Sequence, residues 1–219
     1  MKSITLGCDI ARYGADSSAV IAVCDEVVLD CWIWHGSDTM ETVGKISYLL
    51  QHIPSIALID EIGVGAGVAD RLKELGHPYF AVNVGESARD SDHFKNLRAE
   101  LYWNLRERFQ NGEIDLSRLE RKHYDRLVGE LTAIKFKYTS KGQIQIEAKE
   151  EMKERIGRSP DVADALMLAY ARKPNQYGSL SSVGGVAQES RWGRANATVN
   201  QGGGYANELS AGGSRWRRK

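Results

Sequence analysis

Three parts of this chain put a carboxylate where one is costly. Asp9 lies near the end of residues 3–10, where Ile4, Leu6, Cys8 and Ile10 alternate as in a buried strand. Asp60 ends a second apolar run, Ile56-Ala57-Leu58-Ile59. A carboxylate that terminates a buried strand is unfavourable unless it is paired or binds a cation. Asp161 and Asp164 fall in the first turn of a predicted helix, and their i, i+3 spacing puts them on one face. Each acid has a plain explanation alone. Asp161 complements a helix dipole, Asp9 bonds a turn, and Asp60 supports the helix that follows. Together they point to chemistry. Clustered acids repel one another, and a hard divalent cation with oxygen ligands relieves that repulsion. Two cations roughly 4 Å apart activate water and stabilise a leaving oxygen in phosphodiester cleavage.

The elements that must position these acids read as mixed α/β. Residues 3–10, Ala19–Cys24 and Val27–Trp34 are predicted strands, the last two flanking the acidic turn Asp25-Glu26 as in an antiparallel meander. Ser37-Asp38 caps a helix running to about Gln51. Ile56–Ile59 is a strand, and Gly63, Gly65 and Gly67 lead from it into a helix through Leu75. That glycine run lacks the lysine of a phosphate-cradling loop, so it reads as tight strand-to-helix packing. Tyr79–Val84 is a further strand, and Phe94–Gln110 and Leu119–Ala133 are helices. Ile134–Tyr138 and Gln143–Glu147 flank Ser140-Lys141-Gly142, a hairpin signal. A last helix runs to Arg172, with Ser159 as N-cap and Pro160 in its first position. Antiparallel strands followed by helix-linked parallel ones predict a mixed sheet with helices on both faces. The first and fourth strands can then lie side by side.

Composition bounds the rest. The 219 residues hold 29 basic and 29 acidic side chains. This balance excludes a polybasic partner model for the whole chain, though not a local basic groove. From Asn175 to Lys219 the chain holds 9 of its 22 glycines and six basic residues against two acids. A segment so poor in apolar side chains is predicted to be disordered. Residues 1–174 form the predicted domain and 175–219 the tail, where Trp192, Tyr205 and Trp216 lie near arginines. No apolar run approaches the roughly 18 residues of a membrane span, and no signal peptide precedes the first strand. Cys8, Cys24 and Cys31 are odd in number and lack metal-site spacing, so they are predicted to be reduced, partly buried thiols.

Four stretches, in order, carry a family resemblance: Gly7–Ser18, Ala57–Gly67, Asn96–Arg106 and Ile146–Ala165, the last ending Arg155-Ile156-Gly157-Arg158-Ser159-Pro160-Asp161-Val162-Ala163-Asp164-Ala165. Over about residues 3–173 the chain resembles the nuclease domain of the large terminase subunits of tailed bacteriophages. The resemblance implies an RNase H-like (retroviral-integrase-type) fold, with a mixed sheet of five or more strands and a β-hairpin inserted before the last helix. It also implies Mg²⁺ or Mn²⁺, two ions, held by Asp9, Asp60 and an aspartate of the last helix. Asp161 best matches the family position after Ser-Pro, and Asp164 matches the second aspartate of related resolvases. Both are carried, with Glu61 and Asp16 as further candidates. The implied activity is metal-dependent endonucleolytic cleavage of concatemeric viral DNA during genome packaging, with little sequence preference. The implied partners are double-stranded DNA, a packaging ATPase domain or subunit, the portal and the small terminase, in the host-cell cytoplasm. The chain lacks the Gly-x-x-x-x-Gly-Lys-Ser/Thr of a packaging ATPase. The alternatives are a junction-resolving nuclease of related fold and a non-catalytic DNA-binding or portal-docking module.

Basic side chains must supply affinity for phosphate locally. Lys149, Lys153, Arg155 and Arg158 precede the last helix; Lys135, Lys137 and Lys141 decorate the hairpin; Lys95, Arg98, Arg106 and Arg108 lie on or beside the long helix. Of these, Lys149, Arg155, Arg158, Lys137, Lys141 and Arg98 are the DNA-binding candidates. Trp32, Trp34, Tyr102, Trp103 and Phe109 are expected to pack in the core. The five histidines show no ligand spacing, although His93 follows Asp92 in a loop.

Overall fold

A computed structural model describes residues 3–11 and 16–171. Seven strands and six helices alternate along them: β1 (Ile4–Asp9), β2 (Ser17–Cys24), β3 (Val27–His35), α1 (Thr39–His52), β4 (Ser55–Asp60), α2 (Val64–Glu74), β5 (Tyr79–Val82), α3 (Leu97–Gln110), α4 (Arg121–Ala133), β6 (Phe136–Tyr138), β7 (Ile144–Ile146), α5 (Lys149–Ile156) and α6 (Asp161–Ala169). Five strands form one sheet in the order β3-β2-β1-β4-β5. β1 pairs antiparallel with β2 and parallel with β4, so the expected mixed sheet is present. The described residues stop short of the predicted boundary at Pro174, and the tail lies outside them.

The two-residue period of the strands builds two cores, one on each face of the sheet. Leu6, Cys8, Val20, Ala22, Ala57 and Ile59 face one way and pack with Val43, Ile46 and Leu50 of α1 and Val68 and Leu72 of α2. Ala19, Ile21 and Leu58 face the other way, toward α3, α4 and α6. Every residue of α6 is buried, as expected of a helix that is apolar on all sides apart from its first turn. It lies over Gly7, where an added Cβ would overlap the Ala165 carbonyl oxygen and the Ala169 amide. A Gly7→Ala substitution must push α6 off the central strand, and overpacking of this kind costs about 3 kcal/mol or more. The expected result is a lowered thermal midpoint; an unchanged midpoint would contradict the packing.

The glycine run after β4 acts as tight packing. Gly63 takes φ +73°, and a Cβ at Gly65 would overlap the Asp60 carbonyl oxygen. Asp38 caps α1, accepting from the Glu41 amide at 2.7 Å. α5 was not expected. Its one buried residue is Met152, so it offers no wide apolar stripe to read. It closes at Gly157, whose φ of +78° ends the helix in the left-handed conformation. Ser159 does not cap α6. Its hydroxyl donates to Asp16 at 2.9 Å, and Pro160 holds the cap position. Cys8, Cys24 and Cys31 form no disulfide, and the first and last are buried. No described helix is long and apolar enough to cross a membrane.

Candidate active site

Adjacent parallel strands end together, and each ends in an acid. Cys8 stands opposite Ile59 in the β1–β4 register, so Asp9 and Asp60 leave the sheet at the same edge. The first turn of α6 arrives over this edge with Asp161 and Asp164, both buried. The strand ends and the first turn of α6 thus bring these acids to one side of the sheet. Electrostatic coupling follows the geometry: Asp164 and Asp161 both act on Asp9, and Asp164 acts on Asp60.

Lys149, the first residue of α5, sits among these acids. Its Nζ lies 3.0 and 3.2 Å from the two Asp9 carboxylate oxygens and 3.0 Å from Asp164 Oδ2. Asp164 also accepts from the Tyr102 hydroxyl at 2.7 Å and from Arg98 Nη2 at 3.3 Å. Burial would raise Asp164, but Lys149, Arg98 and Tyr102 overcome it and hold the carboxyl below its usual range. Burial would strip the proton from Lys149, yet Asp164 and Asp9 keep it charged. Asp9 differs. Burial, with repulsion from Asp164 and Asp161, outweighs Lys149 and pushes its carboxyl up to about 7. Burial also raises Asp60 and Asp161. Asp60 accepts from the Ile62 amide at 3.1 Å, and Asp161 from the Ser17 amide at 3.1 Å.

A second tier holds α6 in place, and little of it was expected. Glu130 of α4 has no exposed surface. Its Oε2 accepts from the Val162 and Ala163 amides at 2.8 and 3.0 Å, capping α6 from a neighbouring helix. Its Oε1 accepts from Arg126 Nε at 2.8 Å. Arg126 Nη2 then reaches Ser17 Oγ at 3.0 Å and Asp161 Oδ2 at 3.4 Å. One signal was available: Glu130 stands three residues after Leu127, on the apolar face of its helix. Tyr102 is buried as expected of a core aromatic, but its hydroxyl serves Asp164.

The remaining candidates are spread around this edge. Arg98 turns inward, its side chain 12% exposed, and donates to the Glu147 carbonyl as well as to Asp164. Arg155 holds Glu147 and the Ala133 carbonyl. Arg158 is exposed, as are Lys137 and Lys141 on the hairpin. Asp16 is bound by Lys153 at 2.7 Å, and that bond keeps its carboxyl low. Glu61 is exposed, and His93 pairs with Asp90 at 2.8 Å.

The donor chemistry suits a hard divalent cation. Asp9, Asp60 and Asp161 offer only carboxylate oxygens, and burial, which raises all three, leaves their charged forms short of solvation that a cation would supply. Among the described residues, no three acidic, histidine or cysteine side chains already stand close enough together to hold a metal ion. The Lys149 ammonium is the cation they share here.

No family model matches the chain, and no curated protein matches it. Solved structures do. The nuclease domain of the large terminase subunit gp2 of bacterial virus Sf6 superposes with a TM-score of 0.68 at 24% identity, covering 78% of this chain and 89% of that one. A mutant of the same domain with manganese and beta-thujaplicinol gives 0.70 at 23% identity, with the same coverage. The large terminase nuclease from thermophilic phage G20c with bound magnesium gives 0.58 at 20% identity, covering 78% of this chain and 82% of that one. The fold is the RNase H-like one of these domains: a mixed five-stranded sheet, helices on both faces, and the β6–β7 hairpin before the last two helices.

Proposed function

We propose that this chain is a divalent-cation-dependent endonuclease that cuts double-stranded DNA as a phage genome is packaged. One observation carries the reading: Asp9 and Asp60 end adjacent parallel strands, and the first turn of α6 brings Asp161 and Asp164 within electrostatic reach of Asp9. The fold match supports it, because two proteins of this fold are described as large terminase nucleases with bound manganese or magnesium.

Asp9, Asp60 and Asp161 would hold two Mg²⁺ or Mn²⁺ ions. When bound, such ions supply Lewis acidity toward the phosphate, a nucleophile at neutral pH, and charge for the leaving oxygen. The protein does the rest. Asp164 is already committed to Lys149, Arg98 and Tyr102, so it positions groups and leaves direct ligation to Asp161. Glu130 and Arg126 fix the first turn of α6 and so aim Asp161. Lys149 stays protonated and offers its positive charge beside Asp9 and Asp164, where it would meet the phosphate. Lys137, Lys141 and Arg158 contact the duplex by its phosphates, without base readout. Arg98 and Arg155 act inward, bracing Asp164 and Glu147. A packaging ATPase, portal and small terminase are the partners in the host-cell cytoplasm.

The test is conversion of supercoiled plasmid to nicked and linear forms by the purified chain. Cleavage is expected with Mn²⁺ or Mg²⁺ and not with EDTA. A folded protein that binds DNA yet cuts with neither metal would sink the reading. A strong preference for four-way junctions over linear duplex would move it to a resolving nuclease.

A further inference from the structure

The hairpin carries something that phosphate contact does not require. Phe136 and Tyr138 stand two residues apart on β6, and both are open to solvent, 47% and 66% exposed. Phe136 packs edge-on against Trp103, with ring centres 5.4 Å apart and planes at 85°. Tyr138 packs edge-on against Phe136 at 5.9 Å and 84°. Arg106 lies over the Trp103 ring, 4.7 Å from its centre. The result is a braced row of rings that begins in the body and ends at an uncovered tyrosine.

The hairpin itself is cationic. Residues 135–146 contain Lys135, Lys137 and Lys141 and no acid, and among the described residues the one ion pair at this row is an exposed one, Lys137 with Glu151 of α5 at 3.8 Å. Exposed aromatic rings within a cationic strand pair match a polynucleotide whose bases are not paired, since every base has a face to stack and a phosphate to neutralise. Place adds to the argument. β7 ends at Ile146, Arg98 grips the carbonyl of Glu147, and Lys149 then touches Asp9. The chain thus runs from the hairpin directly to the carboxylates.

We infer that Phe136 and Tyr138 form a stacking platform for unpaired nucleobases of the DNA strand presented to the Asp9–Asp60–Asp161 edge. This rests on the nuclease reading for its purpose and deepens it: the preferred substrate is DNA with a locally opened or frayed strand. Tyr138 supplies the open ring, Phe136 and Trp103 hold it in place, and the lysines neutralise the backbone.

The test measures binding in EDTA, where no cleavage occurs, by fluorescence anisotropy of a labelled oligothymidylate and of a duplex of equal length. Tyr138→Ala is expected to weaken binding of the single strand by roughly tenfold or more and to leave duplex binding within about twofold. Tyr138→Trp is expected to restore single-strand affinity and Tyr138→Leu is not. Tyr138 is exposed, so these variants should melt like the parent, which circular dichroism checks. Unchanged single-strand binding in Tyr138→Ala overturns the proposal, and so does equal loss on both DNAs. Full affinity in Tyr138→Leu also overturns it, because apolar contact with a protein would then explain the exposed rings. Plasmid cleavage by the same preparations separates the two readings. Loss of stacking in a protein that never cuts removes the nuclease and leaves the platform. Cutting by a protein whose Tyr138→Ala variant binds normally does the reverse.

Discussion

An Asp9→Asn variant is expected to lose metal-dependent plasmid cleavage by at least on the order of 10²–10³-fold while remaining folded. Asparagine keeps the shape of the side chain and removes the charge that would attract a cation. The substitution removes one of the two carboxylates that hold Lys149, but Asp164 remains at 3.0 Å, and asparagine relieves the repulsion from Asp164 and Asp161. A pH signature separates loss of a ligand from loss of fold. The Asp9 carboxyl moves from its ordinary 3.8 to about 7 on folding, chiefly through burial. An acid raised in this way binds its proton more tightly when folded than when unfolded. Its contribution to stability is therefore fully present below about 4 and lost as pH rises through about 7. Metal-free protein should lose this contribution between pH 5 and pH 7.5, and Asp9→Asn should not. A cation must displace the proton, so cleavage by the parent should rise with pH through about 7. Added Mn²⁺ should raise the thermal midpoint more at pH 7.5 than at pH 5. A variant that cuts at the parental rate would remove Asp9 from the site.

The second large effect concerns stability. Truncating Glu130 to alanine leaves two buried amides of α6 without an acceptor and strips Arg126 of its nearer carboxylate, leaving it only Asp161 at 3.4 Å. Breaking a buried ionic network from one side costs about 3–5 kcal/mol. That is a large share of the roughly 5–15 kcal/mol that holds a typical domain folded. The midpoint of urea unfolding should fall accordingly, with an unchanged slope. Glu130→Gln keeps one oxygen for the amides and should cost less. If alanine shifts stability by under about 1 kcal/mol, water has replaced the carboxylate and the cap is not structural.

Much of the frame was legible because strands announce themselves locally. Alternation in Ile4–Asp9, and the apolar runs Ala19–Cys24 and Ile56–Ile59 in strands covered on both faces, each follow from which face of the sheet a residue meets. The placement of Asp9 and Asp60 at strand ends could be read for the same reason. What escaped depends on distant partners. Ser17 and Asp161 are 144 residues apart, and Val162 takes its cap from a glutamate 32 residues earlier. A local signal favoured Ser159 as the cap, and the local signal lost: Asp16 claims that hydroxyl, while α4 supplies the acceptor. α5 escaped because a mostly charged helix with a single buried methionine leaves no period to detect. The sequence offers Arg98 and Lys149 as DNA-contacting cations because nothing near them in the chain shows that Asp164 waits across the fold.

The seating of α6 against Gly7 also has a consequence in time. Synthesis runs from Asp9 to Asp60 to Asp161, at roughly 5–20 residues per second. Asp9 and Asp60 thus exist as neighbours on a half-built sheet for several seconds before the third acid is made. Until α6 docks, that edge has no Asp161 and no Asp164 to anchor the Lys149 ammonium. On the nuclease reading, a ribosome-bound or prematurely stopped chain would lack two of its acids and would not cut. Completion of the carboxylate centre falls to the helix that packs last onto the sheet's far face.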